Sequence, residues 1–355
     1  MKITDIKFEK ATFQFMEPFK VAFAVMTGYD TLVVKIETDE GICGFGEAAP
    51  MEFVTGDNLD TAYIVGKEFR EMLVGQDPLA IGHIHNLMDG RYAHNTAIKA
   101  GIDIACYDIA AKKMGVPLYK YLGGARNQLE SDVTVGIGTP EHMAEKSVEW
   151  AEQGFSVLKI KLGEDIATDL ERIRQIRKAV GEKTILRVDA NQGWNVKDSI
   201  KIAGELEDLG VELIEQPVKH WDLEGLAEIR NAVSIPVVAD ESCHLPSDAA
   251  KLASMRAVDG MNIKLMKCGG IYPAIKINAI AEANNLYCMI GCMGESRIAN
   301  AAGMHLAAAL SNIQKIDLDV TFFAKNDQIY GGYTSVGGVC TLLEEPGIGV
   351  VIDGM

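Results

Sequence analysis

Three short segments constrain the fold of this chain most, because each joins an apolar, strand-like run to an acidic residue. The acids are Asp189, Glu215 and Asp240, and they lie 26 and 25 residues apart. That spacing is about one strand plus one helix, and the carboxyl ends of successive strands in a parallel β/α barrel meet at one open face. The alternative is that the acids are helix N-caps or loop charges, but three in phase favour a common site. Three carboxylates that converge there would suit Mg²⁺, which prefers oxygen ligands.

The chain beyond residue 125 repeats strand-like and helix-like patterns. Eight apolar runs are predicted as strands, at residues 132–137, 156–161, 184–189, 211–215, 236–240, 260–264, 286–290 and 314–318. Thr139 before Pro140 predicts the start of the first intervening helix, and Gly154 predicts its end. The alternation indicates a β/α barrel. An open doubly wound sheet is the runner-up, but the glycine-rich nucleotide turn that normally follows its first strand is missing.

The first third of the chain has a different pattern. Residues 1–48 alternate apolar and polar side chains, which predicts antiparallel strands interrupted by an apolar loop at about 16–29. A second loop is predicted at about 49–57, and residues 58–113 have helical periodicity with one well buried helix. A glycine-containing break at 121–125 predicts a domain junction.

These patterns together predict an α/β protein with three parts. We expect an α+β capping domain at residues 1–124 and a β/α barrel at 125–318. The glycine-rich segment at 319–355 is expected to be irregular and to pack back on the capping domain.

Composition excludes several classes of partner. The net charge of −16 disfavours nucleic acid and anionic membranes. No apolar run approaches the roughly 20 residues that span a bilayer, and the N-terminus lacks the apolar core of a signal peptide. The seven cysteines are scattered without a CxxC pair, which predicts reduced thiols. We therefore expect a cytoplasmic protein. A small-molecule substrate and a homo-oligomeric assembly are expected as well.

Three lysines also fall at predicted strand ends. Lys159 and Lys161 end the second barrel strand and point the same way, towards the barrel interior, because strand side chains alternate. Lys264 ends the sixth strand, on the opposite side of the barrel mouth. The alternative is that these lysines form ion pairs with the acids. A buried lysine near other positive charge has a lowered pKa and can act as a general base.

This arrangement suits removal of a proton next to a carboxylate. Cations would stabilise the charge that develops on the carboxylate oxygens. A lysine on one face would remove the proton, and a lysine on the other face would return one, with inversion at the α-carbon.

The whole set of motifs resembles the enolase superfamily, in its muconate-lactonising subgroup. The resemblance covers nearly the whole chain, from the capping domain to Pro346-Gly347-Ile348-Gly349 near the C-terminus. It implies a modified barrel of the (β/α)7β type and an isomerase. It implies Mg²⁺ ligands at Asp189, Glu215 and Asp240. It also implies an acid/base pair at Lys161 and Lys264, a substrate-carboxylate contact at Lys159, and a place for Asn191 near the metal.

The end of the eighth strand narrows the resemblance to dipeptide epimerases. Asp317 and Asp319 lie on one face and resemble the aspartate pair that binds the α-ammonium group of a dipeptide; the alternative is two charged rim residues. Thr134 and Met293 also fall at strand ends with a dipeptide-epimerase-like context. The resemblance implies Mg²⁺-dependent epimerisation of L,L-dipeptides to L,D-dipeptides. The alternatives are an N-succinylamino acid racemase or o-succinylbenzoate synthase and, from another class, a catalytically idle barrel that binds a ligand.

One position departs from the pattern of epimerases for Ala-Glu-type dipeptides. Those enzymes place an arginine in the first capping loop, where this chain has Ala24. Phe19, Phe23 and Ala24 in the first loop, with Met51 and Phe53 in the second, are expected to contact the substrate. The alternative for the aromatic residues is simple packing. We therefore expect hydrophobic or aromatic dipeptides to be preferred over acidic ones, with Glu52 offering a secondary preference for cationic side chains.

Overall fold

The computed structural model describes residues 1–22, 24–325 and 328–354. It begins with an antiparallel sheet of three strands, β1 (Ile3–Val21), β2 (Ala24–Thr38) and β3 (Cys43–Ala48). The loop expected at 16–29 is wrong, because β1 and β2 continue as a hairpin whose last pairs join Phe19 to Met26 and Val21 to Ala24. Strand pairing satisfies much of the backbone of this apolar stretch, with an irregularity between Gln14 and Phe19.

Helices follow the sheet, as the periodicity predicted. They are α1 (Leu59–Leu73), α2 (Ile81–Arg91), α3 (Thr96–Met114) and the short α4 (Leu118–Tyr121). Every residue of α3 from Thr96 to Ala111 is buried. The helix packs closely on β3, where a Cβ at Gly46 would lie 1.9 Å from the carbonyl oxygen of Gly101. Only glycine permits this approach, which seats the sheet on the helix.

The second sheet is a nearly closed barrel of eight parallel strands. A short strand, β4 (Gln128–Glu130), precedes it. The barrel strands are β5 (Val133–Val135), β6 (Val157–Lys161), β7 (Ile185–Asp189), β8 (Val211–Glu215), β9 (Val237–Ala239), β10 (Gly260–Ile263), β11 (Tyr287–Gly291) and β12 (Ile313–Asp317). Ser131, just before β5, forms a parallel bridge with Ile316 of β12 and joins the two edges. The predicted barrel is confirmed, and the open sheet is excluded.

Helices connect successive barrel strands. They are α5 (Pro140–Glu152), α6 (Ile166–Val180), α7 (Val196–Asp208), α8 (Leu223–Ala232), α9 (Pro246–Met255), α10 (Leu265–Cys268), α11 (Ile271–Ala283) and α12 (Arg297–Ala309). Thr139 caps α5 by accepting a hydrogen bond from His142 N, and Pro140 occupies the first turn, as predicted. Gly154 follows the helix with φ +94°.

Strand register places charged side chains of neighbouring strands at the same height along the barrel axis. Asp189 at the end of β7 pairs with Lys161 of β6 on one side and with Glu215 of β8 on the other. Three charged side chains therefore reach the same rim of the barrel together.

The C-terminal segment contains regular structure, contrary to the irregular segment expected there. It holds α13 (Val320–Phe323), β13 (Ile329–Gly331), β14 (Tyr333–Val336), β15 (Val339–Leu342) and β16 (Val350–Ile352). Strand β15 pairs with β4. Gly347 forms a bridge with Pro117, and Ile348 N donates to Asp108 of α3 at 2.8 Å. In the part of the chain that the structure describes, no helix is long and apolar enough to cross a membrane.

Candidate active site

Three buried carboxylates converge at the carboxyl ends of the middle barrel strands. Asp189 and Glu215 end β7 and β8, and Asp240 directly follows β9. At most 1% of each residue is exposed, and one oxygen from each lies within 4.8 Å of the others. Such a cluster is costly unless positive charge compensates it.

The surroundings of the three acids fit a hard divalent cation. The side-chain oxygens Asn191 Oδ1 and Glu241 Oε2 are buried beside them without a hydrogen-bond partner among the described residues. Asn191 N donates to Asp189 Oδ1 at 2.9 Å. Asn262 Nδ2 donates to Glu215 Oε1 at 2.7 Å and orients that carboxylate. An all-oxygen donor set with spare oxygens is the type that Mg²⁺ takes.

The pKa values show how strongly these acids interact. Burial, together with the charge of Asp189, raises the pKa of Glu215 to about 7, although Lys159 opposes the shift. Burial and the charge of Asp240 likewise raise the pKa of Glu241 to about 7. Burial also disfavours the ionised form of Asp240, but nearby lysines outweigh it and hold its pKa well below the usual range.

Two lysines approach the acids from opposite arcs of the barrel. Lys161 Nζ lies 2.6 Å from Asp189 Oδ2, and Lys264 Nζ lies 2.9 Å from Asp240 Oδ2. Both line one cavity, together with Asp240 itself. The two ammonium groups therefore face the same space from β6 and from the end of β10.

The lowered pKa expected for a buried lysine is wrong for Lys264 and Lys159. Burial alone would lower the pKa of Lys264, and Lys159 acts in the same direction, but Asp240 and Glu215 outweigh both and raise it. Burial also disfavours the charged form of Lys159, yet the surrounding acids raise its pKa well above the ordinary value. The expectation of a lowered pKa rested on the neighbouring cations, but more carboxylates than cations surround these lysines.

Lys159 lies deeper than the other two lysines. Its Nζ is 2.7 Å from Glu215, 2.7 Å from Asp317 and 3.2 Å from Asp189. It is 1% exposed and is not among the described residues that line the cavity. The ion-pairing alternative from the sequence is therefore the arrangement found here.

The aspartate pair closes one end of the cavity. Asp317 ends β12, and Asp319 Oδ2 accepts a hydrogen bond of 2.7 Å from Thr134 N. Both acids line the cavity, as do Thr134 and Met293. Burial and the charge of Asp317 raise the pKa of Asp319 to about 6, although Thr134 opposes the shift. With Phe19, the structure therefore brings five of the predicted substrate-binding residues together.

The cavity has a volume of about 100 Å³, and one of its walls is apolar. We call this the capping wall. Its members come from the hairpin, the 49–57 loop and the segments after β11 and β12: Phe15, Phe19, Val21, Met26, Tyr29, Met51, Val54, Cys292, Val320 and Phe323. Two predicted contacts, Ala24 and Phe53, are not among the described residues that line it, and Phe23 lies outside the described residues.

The positions of Ala24 and Phe53 have simple physical reasons. Ala24 is paired with Val21, so it lies on the cavity side of the hairpin, but at its tip and with only a methyl group. The 49–57 loop folds into a tight turn in which Thr55 N donates to Met51 O at 2.7 Å. Met51 and Val54 then face the cavity, and Phe53 is 64% exposed.

Four residues of the site were not assigned from the sequence. Glu241 follows Asp240 directly, and Lys267 Nζ bonds Asp240 from α10. Asn262 orients Glu215 from β10. Asp132 lies within 4.8 Å of Asp317 and Asp319 and is bonded by an arginine of β7. Asp132 precedes a strand, so the pattern of charged residues at strand ends does not include it.

The fold and the site define a class, namely barrel enzymes in which an acidic metal centre lies between two lysines under a capping sheet. Residues 3–123 match the mandelate racemase / muconate lactonizing enzyme N-terminal domain, and residues 142–355 match the enolase C-terminal domain-like family. The chain belongs to this family, within the enolase superfamily.

Individual relatives cover the chain end to end. An L-Ala-D/L-Glu epimerase of Clostridium acetobutylicum is 43% identical over 353 residues, which are 99% of each chain. A hydrophobic dipeptide epimerase of Enterococcus faecalis is 43% identical over 352 residues, again 99% of each. The crystal structure of the dipeptide epimerase from Enterococcus faecalis V583 with Mg and L-Leu-L-Tyr has a TM-score of 0.97 at 43% identity and covers 99% of both chains. The predicted isomerase class is confirmed.

Proposed function

We propose that this protein is a Mg²⁺-dependent dipeptide epimerase that inverts the α-carbon of the C-terminal residue. The observation that carries the proposal is the placement of Lys161 and Lys264 on opposite sides of one cavity beside three buried carboxylates. The dipeptide epimerases among its relatives, one of them with Mg and a dipeptide bound, support the same conclusion.

Asp189, Glu215 and Asp240 would hold the metal, since their oxygens form the buried cluster described above. Mg²⁺ would supply positive charge that stabilises the negative charge developing on the substrate carboxylate. Asn191 and Asn262 keep the acids oriented through their hydrogen bonds. Lys159 compensates part of the negative charge of this cluster through its ion pairs with Asp189, Glu215 and Asp317.

The two lysines exchange protons with the α-carbon. Lys161 removes the proton from the L form, and Lys264 delivers a proton to the opposite face, which gives the D form. The reverse reaction uses the same groups in the opposite order. A positioned acid or base typically contributes about 10²–10⁴ in rate.

Asp317 and Asp319 hold the free amine of the substrate. The metal centre and this aspartate pair lie at two places in one cavity, so they select a molecule with an amine and a carboxylate one peptide bond apart. N-Succinylamino acids and the substrate of o-succinylbenzoate synthase lack that ammonium group. Both alternative activities are therefore disfavoured, because neither substrate brings positive charge to this buried pair, whose own partners are Lys159 Nζ for Asp317 and Thr134 N for Asp319.

The first prediction tests the amine site. Asp317→Asn should lower kcat/KM for free dipeptides about tenfold to a hundredfold, since a hydrogen bond to a charged group contributes about 1.5–3 kcal/mol. N-acetylation of a good substrate should abolish turnover by the wild-type enzyme. The rates are measured by chiral chromatography, with Asp208→Asn on the exposed face of α7 as the control. Efficient turnover of N-acyl amino acids would contradict this amine site.

The second prediction concerns the side chain of the second residue. The capping wall is apolar, so a large apolar side chain buried there gains about 1.5–3 kcal/mol. An acidic side chain would lose water without gaining a partner, at a cost of about 1–3 kcal/mol. Hydrophobic dipeptides should therefore exceed Ala-Glu in kcat/KM by about tenfold or more.

Ala24→Arg should reverse part of this preference, because residue 24 lies on the cavity side of the hairpin. Val25→Arg is the matched control, since the adjacent strand position faces the other way and is 64% exposed. A wild-type preference for Ala-Glu, or the same shift in both arginine variants, would refute this assignment of the wall.

A further inference from the structure

A second cavity lies directly beside the catalytic one. It has a volume of about 350 Å³ and is enclosed by the end of the β1 strand, the β5 strand with the residues after it, and helix α5. Phe19, Thr134 and Phe323 line both cavities. We call the second one the side cavity.

The partition between the two cavities is made by side chains. The rings of Phe19 and Phe323 stack with centroids 5.2 Å apart and planes 7° apart. Phe19 comes from the hairpin, and Phe323 comes from α13, just after the aspartate pair. Because these two rings line both cavities, a rotamer change of either ring would alter the separation between them.

The amine site lies against this partition. Thr134 N donates to Asp319 Oδ2 at 2.7 Å, and Thr134 itself lines both cavities. A dipeptide whose amine is held by Asp319 therefore has its first α-carbon next to the partition. The catalytic cavity of about 100 Å³ is well below the roughly 300–1,000 Å³ of pockets that enclose a ligand.

We propose that the side cavity is a subsite for the side chain of the N-terminal residue and that it favours large apolar groups. The inference rests on the proposed dipeptide epimerase function. The lining combines apolar side chains, among them Val135, Ile137, Trp150 and Phe322, with charged side chains at its rim.

Charge at the rim of the side cavity argues against an acidic occupant. Lys146 Nζ lies 2.8 Å from Glu17 and 2.9 Å from Glu149, so its charge is already compensated. Lys20 is paired with Glu164 at 2.9 Å. An acidic first side chain would find no cation that is not already paired within this described lining.

The test places a larger side chain at an exposed position that lines the side cavity. His142 is an exposed residue of α5 that lines the side cavity but not the catalytic one, so His142→Trp narrows the subsite alone. His83→Trp is the matched control, an exposed histidine of α2 that lines neither cavity. Ala-Leu, Leu-Leu and Phe-Leu keep the second residue constant, and kcat/KM is measured for each with Mg²⁺ present.

The wild-type enzyme should favour Leu-Leu and Phe-Leu over Ala-Leu. His142→Trp should reduce that preference about tenfold and change Ala-Leu less than about twofold. An equal effect on all three substrates, or the same effect from His83→Trp, would overturn the subsite. Absence of epimerisation for every dipeptide in the wild-type enzyme would overturn the proposed function and the subsite with it.

Discussion

Lys161→Ala is expected to stop deuterium exchange from L,L-dipeptides in D₂O, with a loss of about 10²–10⁴ in rate. The reason is geometric, because Lys161 and Lys264 line the cavity from opposite arcs of the barrel. In the proposed mechanism, neither lysine reaches the proton on the far side of the α-carbon. Exchange from the L,D-dipeptide through Lys264 should persist. Lys264→Ala should show the mirror pattern, with exchange retained only from the L,L-dipeptide.

Mass spectrometry of each stereoisomer after incubation in D₂O measures this pattern. Lys251→Ala, at an exposed position on α9, is the control and should behave as the wild-type enzyme does. Exchange of the L,L-dipeptide by Lys161→Ala at the wild-type rate would show that the two-base assignment is wrong. Loss of exchange from both stereoisomers in the two variants, with native stability, would indicate that the lysines act through charge alone.

Glu215→Gln is expected to produce the second large effect, a loss of about 10²–10³ in kcat. The substitution keeps the shape of the side chain but removes the negative charge of one of the three carboxylates proposed to hold the metal. The Mg²⁺ concentration that gives half-maximal activity should rise as well. Titration calorimetry with Mg²⁺ alone measures the same change without turnover.

Glu207→Gln on the exposed face of α7 is the matched control for this substitution. Wild-type enzyme dialysed against chelator should lose activity and regain it when Mg²⁺ is added. Full activity of Glu215→Gln in the presence of chelator would remove the metal from the mechanism.

The barrel and its acid cluster could be predicted because strand register is regular. Apolar runs with an acid at the end recur at nearly constant spacing, and pairing of Asp189 with Glu215 in adjacent strands places both at one rim. The hairpin could not be predicted in the same way. Its residues 16–29 carry many apolar side chains. The aromatic contacts that pack β1 against α13 come from Phe323, about 300 residues away in sequence.

The charge state of the lysines also required the structure. The pKa of Lys264 depends on every charge around it, and Asp240 and Glu215 outweigh burial and Lys159. The position of Asp132 could not be predicted from the sequence either. Its approach to the aspartate pair depends on how the barrel closes between β5 and β12. The domain limits and the roles of individual site residues stay predictions.

The most direct test of the account follows the α-proton in the wild-type enzyme. An L,L-dipeptide with a hydrophobic second residue is incubated with enzyme and Mg²⁺ in D₂O, and the products are analysed by mass spectrometry and chiral chromatography. The proposed two-base mechanism predicts an L,D-dipeptide that carries one deuterium at the α-carbon of the C-terminal residue and none at the α-carbon of the first residue. An unlabelled dipeptide pool without L,D product, alongside exchange in N-succinylamino acids, would contradict it.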